Sequence, residues 1–224
     1  ALVSTLPYSG GHPGNSGITE EFMVRLAKCV PMMTLCVLLC GCARGEETVT
    51  AEQLRQPYMD MSGCRMEAEV ICDQNGQEWT ASVGCTYKAD GGAEIEVLSP
   101  ERIAGVRAVL DGETLTLEYE DLCLDAGMLS REKISPMACL PRMMDALREG
   151  WLLEENQEDW GEVPCLRLTV DQTGTEAEKV YTTLWLRLDD GTPLRGEIAV
   201  DGEIILTAEF TSFSFCDTID SQEG

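Results

Sequence analysis

The residues that could carry acid–base, nucleophilic or metal chemistry are unevenly distributed along this chain. The single histidine, His12, lies near the N-terminus, so Ser-His-Asp catalysis, Cys-His catalysis and His-ligated zinc are excluded for the rest of the sequence. The P-loop, G-x-G-x-x-G and G-x-S-x-G motifs are absent. Carboxylate pairs remain as candidates for acid–base work, but a solubilising surface explains them more simply. The sequence therefore predicts a non-enzymatic protein with no catalytic residues, no metal site and no cofactor.

Cysteines are the other reactive residues. Seven follow Cys42, no two of them stand at C-x-x-C spacing, and their number is odd: Cys64, Cys72, Cys85, Cys123, Cys139, Cys165 and Cys216. This pattern indicates neither a zinc knuckle nor a complete disulfide framework. We interpret them as unpaired thiols, which points to a reducing habitat.

An apolar segment near the N-terminus is typical of a secretory signal peptide. The run from Cys29 to Leu39 contains Pro31 and is shorter than the roughly 18 residues that cross a bilayer. It follows the basic residues Arg25 and Lys28, as the apolar core of a signal peptide does. The alternative is a buried core helix, but a core helix would show polar residues at helical spacing, and this run shows none.

The stretch Leu39-Cys40-Gly41-Cys42 resembles the lipobox of bacterial lipoproteins. The resemblance implies that residues 23–41 are a signal peptide and that Cys42 becomes the lipidated first residue of the mature chain. Residues 42–50 would then be a lipidated tether that holds the protein at the extracytoplasmic face of the cell membrane. Residues 1–22 are interpreted as disordered or as sequence upstream of the true start at Met23.

The net charge excludes several classes of partner. Residues 1–41 contain two basic and two acidic residues, so the remainder keeps the formal charge of −24. Such a surface repels nucleic acid and anionic lipid headgroups. Membrane attachment must therefore come from the lipid on Cys42.

The residues that follow the tether predict a short helix and then a hairpin. Thr50-Ala51-Glu52-Gln53 matches a capping box, which predicts a helix that begins at Ala51 and ends near Pro57. After Gly63 the hydrophobic period becomes two, and Asn75-Gly76 predicts a two-residue turn. The predicted register places Cys72 opposite Trp79, Val70 opposite Ala81, Ala68 opposite Val83, Met66 opposite Cys85 and Cys64 opposite Tyr87.

The rest of the chain predicts an antiparallel meander interrupted by one helix. Asp-Gly pairs at 90, 111, 190 and 201 separate alternating runs. The last two hairpins align their apolar faces only with three-residue loops, so bulged turns are expected there. The predicted helix covers residues 135–150, with Pro141 as a kink or restart. Its methionines could form an adaptable lid over a ligand, although core filling is the simpler interpretation.

The acidic run at residues 154–159 could suggest calcium binding. It lacks the glycine and the alternating oxygen ligands of an EF-hand loop. We therefore interpret it as a solvated loop.

The C-terminal strands carry a family resemblance. Leu184-Trp185-Leu186, Gly191-Thr192-Pro193 and the Asp201-Gly202 turn look like the C-terminal motifs of the lipoprotein-carrier superfamily, which includes LolA and LolB. Ser99-Pro100 and the residues after it also look like LolA-like lipoproteins of clostridia, including those linked to spore germination. The resemblance implies an α+β fold, mainly antiparallel β, over residues 51–216. The expected form is a strongly curved half-barrel sheet of about ten or eleven strands covered by a few helices, followed by an acidic tail at 217–224.

Two classes of function remain open. In the first, the concave face of the half-barrel binds a lipid or another hydrophobic ligand, such as an acyl chain. In the second, the protein is a non-enzymatic accessory subunit that binds a cell-wall or spore-cortex enzyme. A cavity of several hundred cubic ångströms would favour the first class, and a core filled by its own side chains would favour the second. For the first class, the predicted ligand-lining residues are Met66, Ala68, Val70, Ala81, Val83, Cys85, Ile95, Val97, Leu115, Leu117, Met143, Met144, Leu184 and Leu186.

Overall fold

The computed structural model describes residues 49–74, 77–112, 114–120, 122–128, 134–173 and 178–216. It contains two α-helices in these ranges, α1 (Ala51–Asp60) and α2 (Cys139–Glu149), and a 3₁₀ turn at Pro136–Ala138 directly before α2. The strands are β1 (Gly63–Gln74), β2 (Gln77–Lys88), β3 (Gly92–Ser99), β4 (Arg107–Asp111), β5 (Thr114–Tyr119), β6 (Leu122–Met128), β7 (Trp151–Trp160), β8 (Val163–Asp171), β9 (Val180–Arg187), β10 (Pro193–Val200) and β11 (Glu203–Cys216).

All eleven strands form one antiparallel sheet. Its order is β6-β5-β4-β3-β2-β1-β11-β10-β9-β8-β7, so two meanders are joined where the first strand pairs with the last. The sheet has β6 at one end and β7 at the other and is not closed into a barrel. The predicted α+β fold with about ten or eleven antiparallel strands is confirmed.

The sheet is curved around α2. This helix contacts β2 on one side and β8 and β9 on the other. Four strands separate β2 from β8, which would place them about 24 Å apart in a flat sheet. An eleven-residue helix is about 16 Å long and about 10 Å wide, so it reaches both only if the sheet bends toward it. The predicted half-barrel with a helix on its concave face is therefore confirmed.

The register of the first hairpin is the one that the sequence predicts. All five predicted pairs occur between β1 and β2, from Cys64 with Tyr87 to Cys72 with Trp79. Nine of the ten side chains in these pairs are buried, and Trp79, near the turn, is 37% exposed. A slip by one residue would turn this apolar face to solvent. The turn at Asn75 and Gly76 lies outside the described residues.

The last two hairpins contain bulges, as predicted, but their loop lengths differ from the expected three residues. Five residues, 188–192, connect β9 to β10, and the register shifts between Pro193 and Arg195. Only Asp201 and Gly202 connect β10 to β11, both with positive φ, and a bulge between Ile198 and Ala199 restores the register. A tight turn and a bulge together bring the apolar faces into line.

Helix α1 begins at Ala51 behind the predicted capping box but does not end near Pro57. The Thr50 side chain accepts from Gln53 N, the Gln53 side chain accepts from Thr50 N, and the helix continues to Asp60. The prediction of the helix end is wrong because Tyr58, one residue after the proline, is buried and anchored. Its hydroxyl donates to the Gly191 carbonyl at 2.6 Å, and its ring contacts Phe213 and Phe215.

Helix α2 restarts near Pro141, as the sequence allows. The 3₁₀ turn after Ser135 gives way to α-helix at Cys139. Pro141 lies in the first turn, where the missing N–H has no intrahelical partner to lose. The predicted apolar stripe of Leu140, Met143, Met144 and Leu147 is fully buried, and Gly150 caps the helix.

The acidic run at residues 154–159 is not a loop. It lies within β7, which pairs with β8 along its whole length. The loop prediction is wrong because an edge strand tolerates charged residues on both of its faces, so the run shows no apolar alternation.

Several sequence predictions concern residues outside the described ranges. These are the upstream segment 1–22, the signal peptide 23–41, most of the tether 42–50 with Cys42, and the acidic tail 217–224. Within the part of the chain that the structure describes, no helix is long and apolar enough to cross a membrane. The seven cysteines after Cys42 are all free thiols, which confirms their interpretation as unpaired.

Candidate functional site

The predicted ligand-lining residues are brought together, but as a packed core. Thirteen of them are buried, and Leu117 is half-buried against the same cluster. They pack with α2, which fills the space over the concave face. Met66, Cys85 and Ile95 also border an open cleft of about 430 Å³. The assignment of the fourteen residues to a ligand site stays a prediction.

Met143 shows how closely α2 fits the sheet. A Cβ placed on Gly196 of β10 would lie 2.5 Å from Sδ and 2.9 Å from Cε of Met143. Position 196 must therefore be a glycine for the Met143 side chain to fit against β10. Met143 and Met144 are fully buried, so in this structure they fill the core.

An open cleft of about 640 Å³ lies beside α2, at the rim of the half-barrel. We call it the rim cleft. It combines apolar and charged side chains from elements that are distant in sequence. The lining residues include Ala89 and Asp90 from the β2–β3 turn, Leu110 from β4 and Gly112 from the turn after it, Ile134, Ala138, Pro141, Arg142, Asp145, Arg148 and Glu149 from α2 and the residues before it, Trp151 from the start of β7, and Asp171, Gln172 and Thr173 from the end of β8 and the residues after it. None of the fourteen predicted residues lines it.

A hydrogen-bonded triad connects the exposed side of α2 to the sheet. The Tyr87 hydroxyl donates to Oδ1 of Asp145 at 2.6 Å and accepts from Nη1 of Arg148 at 2.9 Å. The Arg148 guanidinium also lies 5.9 Å from the centre of the Tyr87 ring. Nε of Arg148 is buried and has no hydrogen-bond partner among the described residues. The triad fixes the orientation of one carboxylate and one guanidinium in the cleft.

The surroundings raise the pKa of the two acidic members of this triad, Tyr87 and Asp145. Burial raises the pKa of Tyr87, and the hydrogen bond to Asp145 raises it further. Asp145 borders the open cleft, yet the dense protein around its carboxyl raises its pKa by desolvation, and the hydrogen bond from Tyr87 offsets only part of this effect. Such shifts arise where polar groups are held in a partly desolvated cleft.

The opposite wall is also held by side-chain hydrogen bonds. Gln172 donates from Nε2 to the carbonyl of Arg142 at 3.0 Å and accepts from the Thr182 hydroxyl. Asp171 accepts from Thr173 N at 2.7 Å, and hydrogen bonding from the side chain and then the backbone of Thr173 lowers the pKa of the carboxyl. Both walls of the rim cleft are therefore ordered without a ligand.

Sequence reasoning missed the rim cleft. One signal was present, because Tyr87 lies on the predicted apolar face of β2, where a hydroxyl needs a partner. Asp145 and Arg148 are polar residues three apart on a helix whose other face is apolar. Asp145 and Arg148 reach Tyr87 only because α2 packs against β2, although about sixty residues of sequence separate them from Tyr87. Local sequence patterns do not encode such a contact.

The fold and the site together define a class: an open, curved antiparallel sheet with helices on its concave face and a cleft at the rim. No family model matches this chain, and no curated protein matches it. Solved structures do. A LolA superfamily protein from Nitrosomonas europaea is 11% identical, with a TM-score of 0.42 over 77% of this chain and 96% of that one.

Two mycobacterial lipoproteins are similar to the same extent. LppX from Mycobacterium tuberculosis is 10% identical, with a TM-score of 0.43 over 76% of this chain and 95% of that one. LprF from Mycobacterium bovis is 12% identical, with a TM-score of 0.42 over 78% of this chain and 97% of that one. The chain is thus similar in fold to solved structures that include a LolA superfamily protein, and its membership of the lipoprotein-carrier superfamily stays a prediction. The clostridial branch stays a prediction.

Proposed function

We propose that this chain is a lipid-anchored, extracytoplasmic binding protein without enzymatic activity, and that the rim cleft binds an acyl lipid or a similar amphipathic ligand. The rim cleft itself is the observation that carries the proposal. Its volume of about 640 Å³ lies within the usual range of ligand pockets, roughly 300–1,000 Å³. This volume supports ligand binding at the rim, whereas the concave face under α2 is filled by its own side chains, as the accessory-subunit class predicts.

The chemistry of the cleft suits an amphipathic molecule. Leu110, Ile134, Pro141 and Trp151 offer apolar surface for a chain. Trp151 is 76% exposed, which is unusual for a large aromatic side chain and leaves apolar area that a ligand would cover. The cleft thus differs from the centre of the concave face, where α2 already covers the apolar side chains.

The polar part of such a ligand would lie near the two arginines of α2. Arg142 and Arg148 are the basic side chains among the residues that line the cleft. Arg148 keeps a buried Nε donor without a partner among the described residues, and an unsatisfied buried donor is costly. An oxygen of the ligand's polar group would accept from the exposed part of the Arg148 guanidinium. The carboxylates that also line the cleft favour a neutral or singly charged group over a phosphate; they are Asp90, Asp145, Glu149 and Asp171.

Quenching of tryptophan fluorescence by a brominated fatty acid tests the location of the ligand. Bromine quenches on contact, so a dibrominated stearate bound in the rim cleft should quench mainly Trp151. We expect the Trp151→Phe variant to lose most of the saturable quenching. The matched control is Trp79→Phe, which removes a side chain that is 37% exposed and does not line the cleft. Equal quenching in both variants would contradict the proposed site.

The lipid anchor is tested separately, by growth of the expressing bacterium with a clickable fatty acid. The full chain should incorporate the label, and the Cys42→Ser variant should not, because the Cys42 sulfur would carry the diacylglyceryl group that contains the labelled acyl chains. Cys40→Ser is the matched control and should stay labelled, since it leaves Cys42 in place. A labelled Cys42→Ser chain would contradict the anchor without affecting the proposal for the rim cleft.

A further inference from the structure

Strand β7 is an unpaired edge of the sheet with unusual exposure. It is the last strand of the sheet that the described residues form, and nine of its ten side chains are exposed, all but that of Leu152. Trp151 and Leu153 are 76% and 47% exposed at its start. An edge strand presents backbone N–H and C=O groups to which a further strand can pair.

The charge of this edge determines what can pair with it. β7 carries Glu154, Glu155, Glu158 and Asp159 and no basic residue. Pairing with β7 of a second copy would place acidic side chains next to acidic side chains, which is destabilising. A basic segment would instead gain opposite-charge pairs. The edge therefore disfavours self-association and is complementary to a basic partner.

Both faces of β7 present ordered carboxylates. On the concave side, Glu155 accepts from Ala51 N at 2.8 Å. On the convex side, Glu158 accepts from Nε1 of Trp185 at 2.5 Å and lies 3.4 Å from Nε of Arg167. These contacts hold the carboxylates in place before any partner binds, so less entropy is lost on docking.

The far end of the strand is also fixed. The Trp160 ring lies 5.6 Å from that of Trp185, and the Arg195 guanidinium lies 4.8 Å from the centre of the Trp160 ring. Arg195 is held in turn by Glu197 and Glu209, both at 2.8 Å. These contacts hold residues 154–160 in the strand conformation, whereas a terminal strand without them would fray.

We propose that β7 is the docking edge for an extended, basic segment of a partner protein, which adds to the sheet as a further antiparallel or parallel strand. Main-chain hydrogen bonds to β7 supply affinity, and the four carboxylates select lysine or arginine on both faces. Apolar side chains of the segment pack on Trp151 and Leu153. This interaction goes beyond ligand binding in the rim cleft and does not require it.

A defined peptide pair tests this docking mode. The probe is a short, fluorescently labelled peptide of repeating Lys-Lys-Val, which in a strand places lysine and valine side chains on both faces. Its control is the same sequence N-methylated at every residue, which keeps the charge but removes the backbone hydrogen-bond donors of both edges. We expect fluorescence anisotropy with residues 43–224, which contain every described strand and helix, to show at least about tenfold tighter binding of the unmodified peptide. Hydrogen–deuterium exchange should show new protection confined to residues 151–160.

Charge variants separate β7 from the acidic surface in general. Glu154→Gln combined with Asp159→Asn should weaken peptide binding about five- to tenfold. Glu67→Gln combined with Glu69→Gln removes the same two charges from exposed positions on the interior strand β1 and should leave binding nearly unchanged. Equal weakening by both pairs, equal affinity of the N-methylated peptide, protection elsewhere, or no binding at all would each overturn the proposal. None of the four substituted residues lines the rim cleft, so both double variants should still bind stearate.

Discussion

Replacing Gly150 with alanine is expected to lower the free energy of unfolding by about 3 kcal/mol. Gly150 has an ordinary φ of −69°, so the reason is space and not backbone conformation. A Cβ at this position would collide with Cγ1 of Val170 and lie 2.7 Å from the backbone oxygen of Ala146. The oxygen cannot yield easily, because it accepts the capping hydrogen bond from Gly150 N at 3.1 Å.

The C-terminal end of α2, before Gly150, is also held by hydrogen bonds from α1. Arg55 of α1 donates from Nε to the carbonyl of Leu147 at 2.7 Å and from Nη2 to those of Ala146 and Gly150, so it caps the C-terminus of α2. A shift of this turn would weaken these hydrogen bonds as well. Urea unfolding followed by circular dichroism measures the loss.

Gly84→Ala is the matched control for the Gly150 variant. A Cβ on Gly84 would meet only the Leu98 side chain, at an ordinary distance of 3.6 Å. This variant should keep the wild-type stability within about 0.5 kcal/mol. Similar stabilities for the two alanine variants would show that α2 does not end against β8 as described.

The second large effect is expected where α2 meets β10. Gly196→Val should cost about 2–3 kcal/mol, because the new side chain enters the space of Met143. Met143→Ala should cost about 2–4 kcal/mol, because it leaves a cavity in a packed core. In the double variant the valine fills part of that cavity. Its loss should be smaller than the sum of the two single losses by at least about 1 kcal/mol.

This cycle also decides between the two interpretations of the methionines. If Met143 lined an open ligand space, Met143→Ala would cost little stability and would not couple to Gly196. Additive single effects would therefore contradict the packed concave face. The measurement is chemical unfolding of the wild type, both single variants and the double variant under one set of conditions.

The parts of the fold that could be predicted from the sequence depend on local patterns. The β1–β2 register follows from alternating side chains around Asn75-Gly76 and was confirmed pair by pair. The capping box at Thr50 and the apolar stripe of α2 were likewise visible as residue types at fixed spacing. Each of these features involves residues close in sequence, where propensity and periodicity act directly.

The parts that could not be predicted depend on contacts between distant residues. The end of α1 is determined by Tyr58 bonding to Gly191, 133 residues away. The identity of residues 154–159 as a strand depends on pairing with β8, which an acidic run without alternation does not reveal. The rim cleft needs α2, two turns and the start of β7 to meet. Its residues were therefore missed, and none of the fourteen predicted ligand-lining residues is among them.

Native mass spectrometry of residues 43–224 tests the central claim, that the half-barrel binds an acyl lipid in its rim cleft. After expression in a bacterium or incubation with lipid, we predict a population that carries the mass of one fatty acid or phospholipid. Ala138→Trp, which puts a bulky side chain into the cleft, should abolish this adduct while the unfolding transition is preserved. A clean apo mass for the wild type after incubation with lipid, or an adduct that persists in Ala138→Trp, would contradict the account.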